Sequence, residues 1–548
     1  MRSTIILVRK CLAICFAILL ICSLAACGSQ GESQSTPPPS GTVAPVEVPT
    51  NGGSIGIVMP QDPGNWNPLR PQTREIVDLY GLIYDGLVRF DEEMRPIPGL
   101  AQDWTTEDEG TTWKFKLRSD VVFHDGSALT TADVVKTLDL LKSYADNSRV
   151  DSIYEGVFDL IDSYSAEDET TLMVKVKVPG HRIISAMSFP ILPRSYGGGD
   201  NLPAGTGPYS ISSLEKGKSM VLSANANGWR RQPYISTINV TAVPDTAAAL
   251  SSLDANLVNL VHSTLLTASR YRQKDLINTV PLMTQEYECI VPNVYRSAVS
   301  SPEMRKAILY AIDRGEIISS IYLSNAVLVD VPVTPDSYLY SSSTFTYEYS
   351  TARAQELLSG LGFADDDGDG YLEKSGASFK LNIIVNENPG ANTRADAARL
   401  VATQLGRVGL RAEVSVLPWE EYTKALQNGN FDLAFCGFDI GKDFDVSFFL
   451  HSAGANNYSH YSSTQLNNLL DAYSGAVTES EIKQASLALQ RYLVDELPVM
   501  SLYFRTNTLV YHSMIQGVTM ARDKNVFKAV EQWYIYREGD DIKAGGVQ

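Results

Sequence analysis

The run Asp365-Asp366-Asp367-Gly368-Asp369-Gly370 has the residue types and spacing of a cation site. Asp365, Asp367, Asp369 and Gly370 fall at positions 1, 3, 5 and 6 of a calcium loop, which presents oxygens from alternate residues around a tight turn. Position 12, where a bidentate glutamate belongs, is Gly376, with Glu373 nearby. Carboxylates among glycines also make an ordinary acidic turn, because Asp side chains bond backbone N–H groups two residues on. The turn is the favoured reading and calcium the lesser one. Gly52-Gly53-Ser54-Ile55-Gly56 matches the nucleophile-elbow string, which requires a strand before it and a helix after it. Here a tether precedes the string and the strand-like Ile55–Val58 follows, so Ser54 is not read as a nucleophile. Ser213-Leu214-Glu215-Lys216 has a serine–lysine spacing but lies between two strand-like runs and reads as a hairpin turn. The six histidines are scattered, with no pair at metal-ligand spacing. No catalytic residue, zinc site or cofactor is expected, and the chain is not read as an enzyme.

These residues belong to a chain of 548 residues, room for about three domains of ~100–200 residues each. With 44% hydrophobic and 20% charged residues it can build real cores. Acidic residues outnumber basic ones 63 to 45, a formal net charge of -18. An evenly acidic surface repels phosphate backbones, which excludes nucleic acid as the main partner.

Arg2, Arg9 and Lys10 precede Cys11–Leu24, an apolar run of 14 residues. A spanning helix needs about 20, whereas a signal h-region is of this length. The run ends in Leu24-Ala25-Ala26-Cys27, similar to the bacterial lipobox, in which the cysteine sulfur receives diacylglycerol and cleavage follows just before it. Residues 1–26 are therefore expected to be a lipoprotein signal peptide and Cys27 the lipidation site; an ordinary signal with an incidental cysteine is the alternative. Residues 27–53, rich in Gly, Ser, Gln and Pro, have almost nothing to bury and read as a flexible tether. Cys289 and Cys436 then remain, too few for a disulfide framework and expected as isolated buried thiols.

In the body, Trp113-Lys114-Phe115-Lys116-Leu117 and Val174-Lys175-Val176 alternate apolar and basic residues, predicting half-buried strands. Thr130 precedes Asp133 by three residues, with Val134, Leu138 and Leu141 on one helical face. Ser301-Pro302-Glu303 is a helix start with proline at the first position. Helices are also predicted over 352–361, 395–408 and 480–494, which makes the body mixed α/β.

Several strings, in order over most of the body, resemble the extracytoplasmic solute-binding proteins of peptide-type ABC importers (solute-binding family 5, the oligopeptide, dipeptide and nickel group). They are Ile83-Tyr84-Asp85-Gly86-Leu87-Val88, Arg95-Pro96-Ile97-Pro98-Gly99-Leu100-Ala101, Val122-Phe123-His124-Asp125-Gly126, Gly205-Thr206-Gly207-Pro208-Tyr209 with Asn227-Gly228-Trp229, Ala311-Ile312-Asp313-Arg314, and Phe431-Asp432-Leu433-Ala434. The resemblance implies a bilobed α/β fold of the periplasmic-binding-protein type (type II, the large peptide-binding class with an extra inserted domain) that closes by a hinge. Domain I is expected at 54–85, 203–285 and 506–548, domain II as the insertion 86–202, and domain III at 286–505.

The resemblance also implies ligand-binding residues. In the peptide binders a Gly-Trp pair precedes, by two residues, an aspartate that takes the ligand's ammonium. Here Phe438 replaces the tryptophan, Gly441 stands at the aspartate's place, and Asp443 or Asp439 is expected to supply the carboxylate. Trp419 and Tyr503 match pocket-wall positions, whereas positions where oligopeptide binders carry arginine hold Leu426 and Phe435, which weakens the expectation of a partner for a peptide carboxylate. The implied protein is a monomer anchored by lipid on the outer face of a bacterial cell membrane. It hands peptides or a related small solute to ABC permease subunits driven by a separate ATPase. A signalling receptor on the same fold and a secreted hydrolase are the alternatives.

Overall fold

Trp113, Phe115 and Leu117 turn inward along the strand Thr112–Leu117, while Lys114 turns out to pair with Glu107 and Glu167 at 3.3 and 3.1 Å. The computed structural model describes residues 49–536 apart from 71, 148–151, 155, 345 and 389–391. The predicted signal peptide, Cys27, most of the tether and the chain end beyond 536 lie outside the described residues. The strand Thr112–Leu117 sits in a four-stranded antiparallel sheet with Ala101–Glu107, Thr171–Val176 and Ile161–Ala166. The helix Thr131–Ala145 packs on this sheet through Val134, Leu138 and Leu141. Its start is closed by Asp133, whose carboxylate accepts from the Thr130 N–H at 2.8 Å and hydroxyl at 2.9 Å.

A second four-stranded sheet begins with Ser54–Pro60 parallel to Thr237–Val243, Ile57 opposite Val240, and continues antiparallel through Ser219–Ala224 and Tyr209–Glu215. The Ser213–Lys216 string is not the turn expected from sequence: Ser213, Leu214 and Glu215 end the strand Tyr209–Glu215, paired with Val221, Met220 and Ser219, and only Lys216 enters the turn at 216–218, while Ser54 opens its own strand with no helix behind it. Both sheets and the helix Arg74–Ile83 feed one hydrophobic core that also takes Leu509, Tyr511 and Trp533.

The other large core gathers residues 287–504. Helices stand near the predicted places, at Pro302–Ala311, Thr351–Gly360, Thr393–Gly406 and Glu479–Glu496. The Ser301 hydroxyl caps the first of them, accepting from Met304 N–H at 3.2 Å. Arg314, 2% exposed, pairs with Asp330 at 2.6 Å and donates to the Val329 and Ser501 carbonyls, so this charge is spent on joining segments within the core.

Two long strands serve both cores. Ile277–Pro292 and Met500–His512 run antiparallel in the seven-stranded sheet, from Ile277 opposite His512 to Ile290 opposite Met500. Sixteen residues at about 3.3 Å each span roughly 50 Å, enough to cross from one core to the other. Leu282 and Leu509 lie in the first core, Tyr287 and Met500 in the second. Between them the ladder loses register at Met283/Tyr287, where the Thr284 hydroxyl donates to the Arg505 carbonyl at 2.8 Å. Two lobes joined by a bulged pair of strands result. Cys289 and Cys436 are buried free thiols opposite each other on neighbouring strands. Among the described residues no helix is long and apolar enough to cross a membrane.

Candidate functional site

Asp85 is where three of the distinctive strings meet. Its carboxylate accepts from the Trp229 indole N–H at 2.9 Å and the Thr206 hydroxyl at 3.2 Å, and pairs with Arg230 at 3.3 Å. A Cβ on Gly205 would stand 1.9 Å from the Ile83 carbonyl oxygen, so only glycine lets this segment lie against the end of the helix Arg74–Ile83. His124 braces the same segment, its Nδ1 accepting from Gly205 N–H at 3.3 Å and its Nε2 donating to the Gly207 carbonyl at 3.0 Å. Burial lowers the His124 pKa, which suits this neutral tautomer. These strings build a buried junction.

Beside the junction a cavity of about 680 Å³ opens between the lobes. Arg89 and Phe90 of the strand Val88–Phe90 line it from the first lobe, residues 442–444 from the second, and Thr284 and Phe504 from the bulged strands. The 442–444 loop follows the strand Leu433–Asp439 and is held tightly. Phe444 adopts φ 51 and is 6% exposed, a left-handed backbone that costs a bulky residue about 1–3 kcal/mol and persists only under outside support. That support comes from the Tyr473 hydroxyl, which donates to the Asp443 carbonyl at 2.6 Å, and from Phe444 N–H donating to the Gly441 carbonyl at 3.0 Å. At Gly441 a Cβ would stand 2.7 Å from Asp443 Oδ1.

Arg182, from the first lobe, reaches across to this loop. Its Nε meets Asp443 at 2.7 Å and its terminal nitrogen Asp445 at 2.9 Å. Burial alone would lower the guanidinium, but the two carboxylates reverse that and hold it above its ordinary value. Two further contacts bridge the lobes, His181 N–H and Nδ1 donating to the Ala476 carbonyl at 3.0 and 2.9 Å, and Tyr338 N–H donating to the Glu93 carbonyl at 2.8 Å.

Of the residues singled out from sequence, Asp443 lines the cavity. Asp439 lies outside its lining and pairs with Lys524, a lining residue, at 3.0 Å. Phe438 turns into the second core and stacks on Phe449 with centroids 4.4 Å apart. Tyr503 is fully buried against Tyr322. Trp419 stands 63% exposed at the start of the helix Trp419–Asn428. Strand alternation separates them: Phe438 points to the core side, and its neighbour Asp439 to the other. In the acidic turn, Asp365 and Asp367 approach Glu373, while Asp369 turns away to pair with Arg411 at 2.9 Å. Asp365 is occupied by backbone donors, Gly368 N–H at 2.7 Å and Gly370 N–H at 3.1 Å.

Sequence reasoning missed the basic residues of the cleft. Arg89, Arg182 and Lys528 lie far apart in the chain, in short strings with no periodic mark, and no spacing rule links them.

Comparison with known proteins gives this geometry its family. The family model "Bacterial extracellular solute-binding proteins, family 5 Middle" matches residues 95–460. The oligopeptide-binding protein AppA of Bacillus subtilis is 24% identical over 559 residues, covering 97% of this chain and 99% of the relative. Its structure with a nonapeptide superposes with a TM-score of 0.61 at 21% identity, covering 89% of this chain and 100% of that one. A nickel ABC transporter protein from Bacillus halodurans gives a TM-score of 0.75 at 20% identity, covering 86% and 98%. With its two lobes, its crossing strands and a family match over residues 95–460, the chain belongs to the bacterial extracellular solute-binding proteins of family 5.

Proposed function

We propose that this protein is the lipid-anchored receptor of an ABC importer, capturing a peptide or related small solute between its lobes and delivering it to the membrane permease. The observation that carries the reading is the cavity of about 680 Å³ between two separately cored lobes whose chain crosses on two long strands. Such a pair of strands, already out of register at Met283/Tyr287, can flex without breaking either core. The relatives support the solute class: one holds a nonapeptide, another is a dipeptide-binding protein. The Asp443–Arg182–Asp445 cluster keeps one net negative charge, which suits a ligand ammonium at Asp443. Asp439 touches the cavity only through Lys524, and Phe438, Trp419 and Tyr503 lie outside its lining. Domain boundaries near 285/286 and 505/506 fit hinge bending at the bulge.

The test is scattering combined with mass spectrometry of whatever solute accompanies the purified protein. A ligand moves the open–closed balance only through its differential affinity for the two states. Removing the solute should raise the radius of gyration and returning it should lower it again. A bound solute that leaves the radius unchanged would contradict capture by closure.

A further inference from the structure

The lining of the cavity is basic in a protein that is acidic as a whole. Eight of its residues are Lys or Arg and three are Asp, in a chain with 63 acidic and 45 basic residues. The three aspartates are all engaged: Asp523 with Arg74 at 2.9 Å, Asp85 with Arg230 at 3.3 Å and Asp443 with Arg182 at 2.7 Å. Two more cations find acids from outside the lining, Arg522 at Asp336 and Lys524 at Asp439. That leaves Arg89, Lys442 and Lys528.

Lys442 and Lys528 have no carboxylate at ion-pair distance among the described residues, and Arg89 has only a long one. Arg89 comes no nearer than 4.0 Å to Glu531, which Arg230 approaches more closely at 3.6 Å. Lys442 donates to the Ser188 hydroxyl at 3.2 Å, and its amine stands 5.3 Å from the Phe90 ring centroid. Lys528 is 7% exposed, and its amine is buried with no hydrogen-bond partner. Lys442 stays exposed at the mouth of the cleft, where the crowding of the surrounding protein and then Lys524 lower its pKa to about 8. Lys528 is lowered to about 8 as well, by burial and then by Arg522 and Arg89, with Asp91 and Glu92 opposing. A desolvated ammonium without a counter-charge is costly, and an anion bound beside it removes that cost.

We infer that the cleft takes an anionic solute, a small organic acid with two or more carboxylates met by Arg89, Lys442 and Lys528. The inference rests on the receptor reading above and narrows its solute class. An acidic peptide and a free polycarboxylic acid share this chemistry. In a chain that is acidic as a whole, the cations gathered in the cleft give it a local field that favours an anion there.

The experiment is calorimetric titration of the solute-free full-length protein with triglutamate, citrate, triglutamine and trilysine at low salt. Triglutamate or citrate should bind at least tenfold more tightly than triglutamine, and which of the two binds identifies the peptide or the free acid. Lys442→Gln should weaken the anion at least tenfold. Lys528→Met, which replaces a buried unpaired amine by an apolar chain of similar length, should fold and also weaken it. Wild-type affinity should fall between pH 7 and 9.5 as the amines lose their protons, whereas Lys442→Arg, which stays charged, should lose less. Equal binding of triglutamine and triglutamate, failure of both anions, or full anion affinity in the Lys442→Gln and Lys528→Met variants overturns the inference. If trilysine or triglutamine instead binds and compacts the protein, the receptor reading stands while the anionic solute falls.

Discussion

Asp443 carries two roles that a single substitution can separate. Its carboxylate ties the lobes together through Arg182, and it lines the cavity, where we propose that it meets a ligand ammonium. Asp443→Asn keeps the shape and leaves Arg182 with Asp445 alone. Affinity for a free-amine peptide should fall by about 2–5 kcal/mol, as when a buried charge pair is broken, while an acetylated peptide is scarcely affected. Titration of both peptides against both proteins checks this, and equal losses would point to the lobe contact alone. His262 gives a pH signature away from the ligand. Its Nδ1 lies 2.6 Å from Asp78 and its Nε2 3.3 Å from Asp523. Burial works against the charged ring, but the two carboxylates prevail and raise its pKa to about 9. A raised folded-state pKa adds stability that is complete below the unfolded value of about 6.5 and is lost as pH rises through about 9. The melting temperature of the wild type should therefore decline over that window. His262→Gln should lower stability at pH 6 and flatten the curve.

At the scale of elements, the glycine junction shows how sharply backbone approach constrains sequence. Gly205 and Gly207 both lie against the Ile83 backbone, where a Cβ would come within 1.9 and 2.6 Å of main-chain atoms. Gly205→Ala has no flexible side chain to push aside. It should cost more than about 2 kcal/mol, in the range of overpacking and strained backbone, read as a lower denaturant midpoint with an unchanged slope. The helix starts at Thr130–Asp133 and Ser301 were legible because a cap needs only a few neighbouring residues. The strand alternation at 112–117 was legible for the same reason. Phe438, Trp419 and Tyr503 show the limit of matching positions one by one. A family position transfers a place in the chain, and whether a ring faces a cavity or a core depends on which sheets close around it.

For the whole molecule, the bilobed architecture would make the proposed capture a change in the relation between two cores rather than in either one. The proposed membrane attachment belongs to this scale too. Two acyl chains anchor stably where one is marginal, so a diacylglyceryl thioether on Cys27 should hold the protein in the membrane fraction. Cys27→Ser should release it or leave the precursor unprocessed, as fractionation and the mass of the mature protein will show. The sequence by itself determined what depends on near neighbours: the signal-like start, the caps, the alternating strands, and the ordered strings from which the family follows. Only the tertiary structure decided the character of the cleft. The positions aligned with the oligopeptide binders' arginine hold Leu426 and Phe435, both buried, yet the cavity is rich in cations. Those cations arrive from residues 89, 442 and 528, brought together when the C-terminal segment and the 442–444 loop fold back over the strand Val88–Phe90. Charge acts through space and within about a Debye length, so its pattern exists only after distant segments have met.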